Sequence, residues 1–288
     1  MMSRIFIAGA AGTAGRSYVQ AFSHAGHAVR AGVRPASEAQ FGDDVEVWPV
    51  DFEDAGATRA AMDDIDAVVI ALAGRGPNAA DQEAVITRNV ARAAVNAGVG
   101  HLMYTSVHLA DQTTGVPHFD VKGVLEVELA ALAPRLTVLR PTTFADSLTA
   151  PWLRNGIQEH GILVSPFGCE TAISYVATDD LARIAVAALA TPQLQREPVV
   201  VAGLSSTTYA ELLPLLGQLA GRPVTYQQIP LDEVRHNFGS DLAAMMELFN
   251  RDGFTAEPSP VLRDLRLVPR PVQDYLRQSW VRDGSVVR

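Results

Sequence analysis

The chain carries one cysteine, Cys169, in 288 residues. An internal disulfide and a zinc site of four thiolates are therefore excluded, and a lone thiol suits a reducing compartment. Also missing is any stretch of the roughly eighteen uncharged apolar residues that a membrane-crossing helix requires. The opening segment, MMSRIFIAGAAGTAG, has a short apolar run broken by glycines and lacks the long core of a secretory signal. The expected location is the cytoplasm. Positive charge is in deficit, with 23 Lys and Arg against 32 Asp and Glu and a net charge of -9. Such a surface repels phosphate backbones and anionic lipid, and no basic patch offsets it, so neither nucleic acid nor membrane is an expected partner. His24, His27, His101, His108, His160 and His236 show no metal-ligand spacing with carboxylates, and no metal is expected.

What is present is ordinary globular material, 48% hydrophobic and 19% charged, in a chain long enough for one large α/β domain or a nucleotide-binding domain with a smaller lobe. Strand-like apolar runs recur at Arg4 to Ala8, Ala28 to Val33, Val45 to Val50, Ala67 to Leu72, His101 to Ser106 and Leu136 to Leu139. Helical patterns fill the gaps, at Arg16 to Ala25, Ala79 to Ala97 and Val121 to Ala133. Strands alternating with helices are the mark of βαβ units, and near-continuous Ile, Val, Leu and Ala suits parallel strands covered on both faces. The expected fold is α/β, a Rossmann-type doubly wound parallel sheet with a smaller C-terminal substrate lobe. We place the dinucleotide-binding domain at 1–145, with 173–202 returning to it, and the smaller lobe at 146–288. From Glu257 to Pro271 four prolines suggest an extended wrap before a last helix ending near Trp280.

The first strand runs directly into Gly9-Ala10-Ala11-Gly12-Thr13-Ala14-Gly15 and then a helix. Glycines at this spacing permit a tight turn, close approach of a pyrophosphate to the main chain, and helix packing on the strand. The helix N-terminus adds free N–H groups and a partial positive charge. A strand, this loop and a helix at the chain start point to a dinucleotide, held by Gly9, Ala11, Gly12, Thr13, Ala14 and Gly15. The second strand ends at Arg34, where an acidic residue would hold the ribose hydroxyls of NAD. A guanidinium pairs instead with a 2′-phosphate, so NADP(H) is favoured over NAD(H), with Arg30 and Arg16 as alternative partners. Asp51 and Phe52 follow the third strand and could hold the adenine, though an Asp there also makes a simple strand-end turn. The small residues Ala71, Leu72 and Ala73 would run under the adenosine ribose.

The fifth strand ends in Tyr104-Thr105-Ser106, and twelve residues later comes His118-Phe119-Asp120-Val121-Lys122 at a helix start. At i and i+4, His118 and Lys122 share a helix face. Together with the glycine loop, Arg34, Asp51-Phe52, Lys122 with Glu126, Leu139-Arg140-Pro141 with Phe144, Asp179-Asp180 and Gly221-Arg222-Pro223-Val224, these pieces give the chain a resemblance to the atypical short-chain dehydrogenase/reductases, most closely the NmrA-like family. The resemblance covers nearly the whole length. It departs at His118, where the better-known enzymes have a tyrosine as proton donor.

The resemblance implies that Lys122 holds the nicotinamide ribose and steers a proton, with its pKa lowered by desolvation and a cationic ring. The alternative is a surface lysine paired with Glu126. Thr105 and Pro141, Thr142 and Phe144 would pass beside the nicotinamide. His118 titrates in the range of a proton donor, or is a loop-edge histidine without a role. Ser106, or Thr105 in its place, could hydrogen-bond a substrate oxygen, or cap a loop. His108, Phe144, Trp152, Phe167 and Tyr175 are candidate pocket walls for a flat apolar substrate, or core. The function these residues suggest is NADPH-dependent reduction of a small carbonyl, enone or quinone by a monomer or homodimer. A non-catalytic NADP(H)-binding sensor, or a redox-neutral isomerase, cyclase or lyase, would use the same fold.

Overall fold

A computed structural model describes residues 2–76 and 78–282. The elements run β1 (Arg4–Ala8), α1 (Thr13–His24), β2 (Ala28–Val33), β3 (Val45–Pro49), α2 (Ala55–Ala60), β4 (Ala67–Ile70), α3 (Ala79–Asn96), β5 (His101–Thr105), α4 (Pro117–Leu132) and β6 (Leu136–Pro141). They continue with β7 (Thr143–Phe144), α5 (Pro151–Asn155), β8 (Ile162–Ser165), β9 (Ile173–Val176), α6 (Thr178–Ala188), β10 (Val199–Val201), β11 (Ser206–Thr207), α7 (Tyr209–Ala220) and β12 (Thr225–Gln228). Last come α8 (Leu231–Phe238), α9 (Ser240–Asp252), α10 (Pro260–Asp264) and α11 (Val272–Arg282). The chain divides into two compact units, one of 1–113, 117–140 and 178–199, the other of 114–116, 141–177 and 200–288.

Among the described residues, seven strands join in the order β10-β6-β5-β4-β1-β2-β3, and the pairs from β6 to β3 are parallel. This is the doubly wound α/β sheet that the sequence predicts. The order reverses beside β1, because β2 and β3 run out on one side and β4, β5 and β6 on the other. Crevices for ligands open at such a reversal, at the carboxyl ends of the strands.

Strand alternation sorts the core into two layers. Phe6, Ala8, Val68, Ile70, Leu102 and Tyr104 join one buried cluster with Ile86, Val90 and Ala94 of α3 and Leu125 and Leu129 of α4. The intervening Ile5, Ile7, Val69 and Met103 are equally buried, so the opposite face is also covered. Helix α1 and α6 pack together there, with Ser17 Oγ 2.7 Å from Thr178 Oγ1. Helix α6 thus belongs to the first unit although it lies far along the chain.

In the second unit β7, β9 and β11 form a short sheet and β8 pairs with β12. A stack of aromatic rings fills it, with Phe249 4.2 Å from Phe254 and 5.5 Å from Phe167 between centroids. One expectation fails here. The stretch 257–271 is not extended throughout, because Pro260 opens α10, where a proline at the first helical position sacrifices no hydrogen bond.

His101, buried at the start of β5, shows how tightly this end of the sheet is specified. Arg135 donates to its Nδ1 at 3.2 Å, so that nitrogen keeps its lone pair, while Nε2 faces Thr137 Oγ1 at 2.9 Å. Burial, and then the Arg135 charge, pull its pKa down to about 4 from an ordinary 6.5. The unfolded chain takes up the proton first as the pH falls, so this histidine's contribution is intact above about 6.5 and is lost towards 4. Lowering the pH from about 7.5 to about 5 should cost about 2 kcal/mol of stability from this group. Urea unfolding of the wild type and His101→Gln at both pH values should show the loss only in the wild type.

Candidate functional site

A cavity of about 370 Å³ opens at the carboxyl ends of β1, β2 and β4, within the first unit. Gly9, which follows β1, has φ +87, and a Cβ there would lie 2.3 Å from Ala71 O. A Cβ on Gly15 would lie 2.1 Å from Gly9 O, so α1 could not seat against the loop with any side chain at that position. Gly12 caps α1 without a side-chain hydrogen bond, and no acidic residue occupies its first turn. The helix therefore presents unscreened N–H groups and positive dipole to the cavity mouth. Thr13 there is exposed, and Ala14 is buried. Ala11, Gly12, Phe52, Ala71, Leu72 and Ala73 line the walls. A loop whose Gly9 and Gly15 leave no room for a Cβ, ending on a helix N-terminus without a side-chain cap, fits the pyrophosphate of a dinucleotide.

Cations gather at one end. Arg34 donates to Ala73 O at 3.1 Å, and both Arg34 and Arg75 line the cavity. Burial and then the charge of Arg75 push the Arg34 guanidinium below its ordinary pKa. Arg30 is not available, because it is buried, bonds Glu46, Ala61 O and Asp63 O, and stacks over Trp48 at 4.6 Å. Arg16 sits over the Phe41 ring at 5.6 Å. Asp51 turns back on its own chain, accepting from Glu53 N at 3.0 Å, while Phe52 is buried in the core. Arg75 lines the cavity although no motif in the sequence singles it out from the small residues 71–74 before it.

A polar cluster sits beside the end of β5. Lys122 Nζ lies 2.5 Å from Glu83 Oε1 on α3, with side-chain exposures of 12% and 3%. It also approaches Thr105 O at 3.5 Å and the Tyr104 ring at 5.5 Å. Lys122 is the single lysine among the 23 basic residues, a compositional signal that had been open to notice. The alternative reading, a surface lysine paired with Glu126, is not what the structure has. Glu126 accepts from Arg140 in a forked geometry at 2.6 and 3.0 Å and from the Ser106 hydroxyl, and Arg140 reaches on to Asp111 at 2.9 Å. Two buried carboxylates thus face two cations, which is the arrangement that makes buried charge tolerable.

Ser106 is 3% exposed and its proton is directed at Glu126. Thr105 Oγ1 is 2.8 Å from the buried Tyr18 hydroxyl. The Tyr104 hydroxyl is buried with no hydrogen-bond partner, and burial, then Glu83 and Glu126, hold it protonated far above its ordinary range. His118 stands in the first turn of α4 with its ring edge-on to Phe119 at 4.7 Å, and His108 is half-buried between β5 and α4.

The remaining candidates belong to the second unit, including Pro141 at the end of β6. Thr142 and Thr143 both bury hydroxyl oxygens with no partner, and Phe144 of β7 is half-buried. Trp152 on α5 is 64% exposed. Phe167 lies in the aromatic stack, and Tyr175 is buried beside Tyr209, its hydroxyl pushed well up by burial. No helix among the described residues is long and apolar enough to cross a membrane.

Comparison with known proteins matches residues 1–276 to the NmrA-like family. A photosystem II assembly factor, Ycf39, of Synechocystis is 24% identical over 97% of this chain and 91% of its own. The (4-alkanoyl-5-oxo-2,5-dihydrofuran-3-yl)methyl phosphate reductase of Streptomyces griseus is 29% identical over 94% of this chain and 96% of its own. Among solved structures, the Citrobacter triphenylmethane reductase complexed with NADP(H) superposes with a TM-score of 0.80 at 22% identity, covering 96% of this chain and 99% of that one. With its glycine cradle, its reversed strand order and this match along almost its whole length, the chain belongs to the NmrA-like family.

Proposed function

We propose that the protein is an NADPH-dependent oxidoreductase that reduces a small, flat, apolar carbonyl, enone or quinone. The observation that carries this reading is the cavity at the β1, β2 and β4 ends, where a glycine-rich loop and an uncapped helix lie beside a guanidinium in the place of the usual ribose-binding acid. Support also comes from the reductase named among the relatives and from the NADP(H) bound by the structural neighbour. When bound, the reduced nicotinamide supplies a hydride to an electrophilic carbon, leaving charge on the substrate oxygen that must be stabilised or protonated.

The chain's own part is binding and proton handling. Gly9, Gly12 and Gly15 admit the pyrophosphate, and Arg34 faces the 2′-phosphate. Lys122 carries three donors; Glu83 takes one and Thr105 O, at 3.5 Å, a second, leaving one for a ribose hydroxyl or a developing oxyanion. Ser106 already directs its proton at Glu126, so towards a substrate it is an acceptor. That leaves Lys122 and His118 as proton donors. A non-catalytic NADP(H)-binding role draws on the same facts, because both Lys122 and Ser106 have partners inside the protein, and on a relative named as an assembly factor.

Nicotinamide absorbance decay with NADPH and a panel of quinones, enones and aldehydes tests the reading. We expect turnover in the wild type and at least about a hundredfold loss in Lys122→Met, within the range general acid–base groups supply. No turnover with any acceptor, despite measurable NADPH binding, would favour the non-catalytic role.

The variant needs a stability control, because removing one partner of a buried ion pair strands the other. Lys122→Met alone should lose about 3 kcal/mol in urea unfolding. Glu83→Gln with Lys122→Met should recover most of that while staying inactive. If the double variant were as unstable as the single one, the pairing would not be what holds the two groups.

A further inference from the structure

We propose that Arg75 is a second specificity-determining contact for the nucleotide, closing with Arg34 as a two-cation clamp on the 2′-phosphate of NADPH. The proposal rests on the NADPH reading above and adds a residue to it. Arg34 follows β2 and Arg75 follows β4, so the two side chains reach the same cavity from strands on opposite sides of β1. Arg34 is held through its side chain and Arg75 through its backbone. Arg34 Nη2 donates to Ala73 O, two residues before Arg75, and the Arg75 amide donates to Gln82 Oε1 at 2.8 Å on α3. The second residue of the clamp is thus tied by its backbone to a long helix and leaves its guanidinium exposed.

Neither guanidinium is in an ion pair among the described residues. The nearby carboxylates have other partners, since Asp51 accepts from Glu53 N and Glu53 accepts from the Gln82 side chain. On Arg34 the charge of Arg75 acts more strongly than that of Glu53 or Asp51. Two like charges therefore share the end of one cavity with Glu53 and Asp51 nearby but in direct contact with neither cation, a placement that a bound anion would relieve. A phosphate monoester carries close to two negative charges at neutral pH and has three acceptor oxygens, enough for a guanidinium fork on each side. A ribose 2′-hydroxyl offers neither the charge nor the oxygens. The clamp should therefore act on NADPH and leave NADH almost untouched.

Calorimetric titration of the full chain with NADPH and NADH, in wild type, Arg34→Ala, Arg75→Ala and Arg75→Lys, tests this. Arg75 is exposed, so its substitution should not disturb folding. Arg75→Ala should weaken NADPH by about tenfold, as expected for one charge-assisted contact. NADH affinity should change by less than about twofold, and Arg75→Lys should recover part of the loss because it keeps the charge but not the fork. An NADPH affinity unchanged in Arg75→Ala, or an equal loss for both nucleotides, would overturn the clamp. A wild type that binds NADH as tightly as NADPH would instead overturn the NADPH reading itself, which separates the two failures.

Discussion

The seating of α1 against the end of β1 is the constraint on which the rest depends. Gly15 lies so close to Gly9 O that no side chain fits, and Gly9 itself sits under Ala71 at the end of β4. Three segments are thereby locked together at the point where the strand order reverses. Because α1 is drawn in, its N-cap Gly12 forms part of the wall of the opening between β1, β2 and β4. The same packing presses Tyr18 of α1 on to Thr105, so the end of β5 is registered against the helix that faces the nucleotide site. Cofactor cradle and polar cluster are thus coupled through one helix.

Electrostatics then separates the two regions. The cavity concentrates positive charge in the form of a helix dipole, Arg34 and Arg75, with its carboxylates turned away. The cluster beside β5 balances its charges internally, Glu83 against Lys122 and Glu126 against Arg140. The first arrangement awaits an anion, whereas the second is nearly satisfied and rigid. A net charge of -9 across the chain makes the contrast sharper, because the cavity is a local exception to an acidic surface.

Much of this was legible in the sequence, for physical reasons that can be stated. Parallel strands buried on both faces leave near-continuous apolar runs, so β1, β2 and β4 could be placed from their Ile, Val and Ala, and β5 from Leu102 and Met103 beside Tyr104. The glycine loop was visible because backbone geometry tolerates nothing else there. Pairings across long sequence distances were not visible. Glu126 stood four residues from Lys122, the natural helical partner, yet Arg140 competes for it with a two-point fork and Lys122 turns to Glu83, 39 residues away. Likewise the short strands β7, β9 and β11, of two to four residues, carry too little pattern to be read without their neighbours.

The choice of lysine at position 122 fits this picture. Everywhere else the chain uses arginine when it needs a positive charge. Were neutralising Glu83 the whole task, a guanidinium would do it better, because its fork matches a carboxylate and it tolerates burial well. An ammonium is smaller, so it fits between Glu83, the Tyr104 ring and Thr105 O without displacing them. It can also part with a proton, which a guanidinium cannot do in a protein. A lone lysine against that compositional habit, next to the strand end where the polar groups gather, suits the proton-handling role proposed for it.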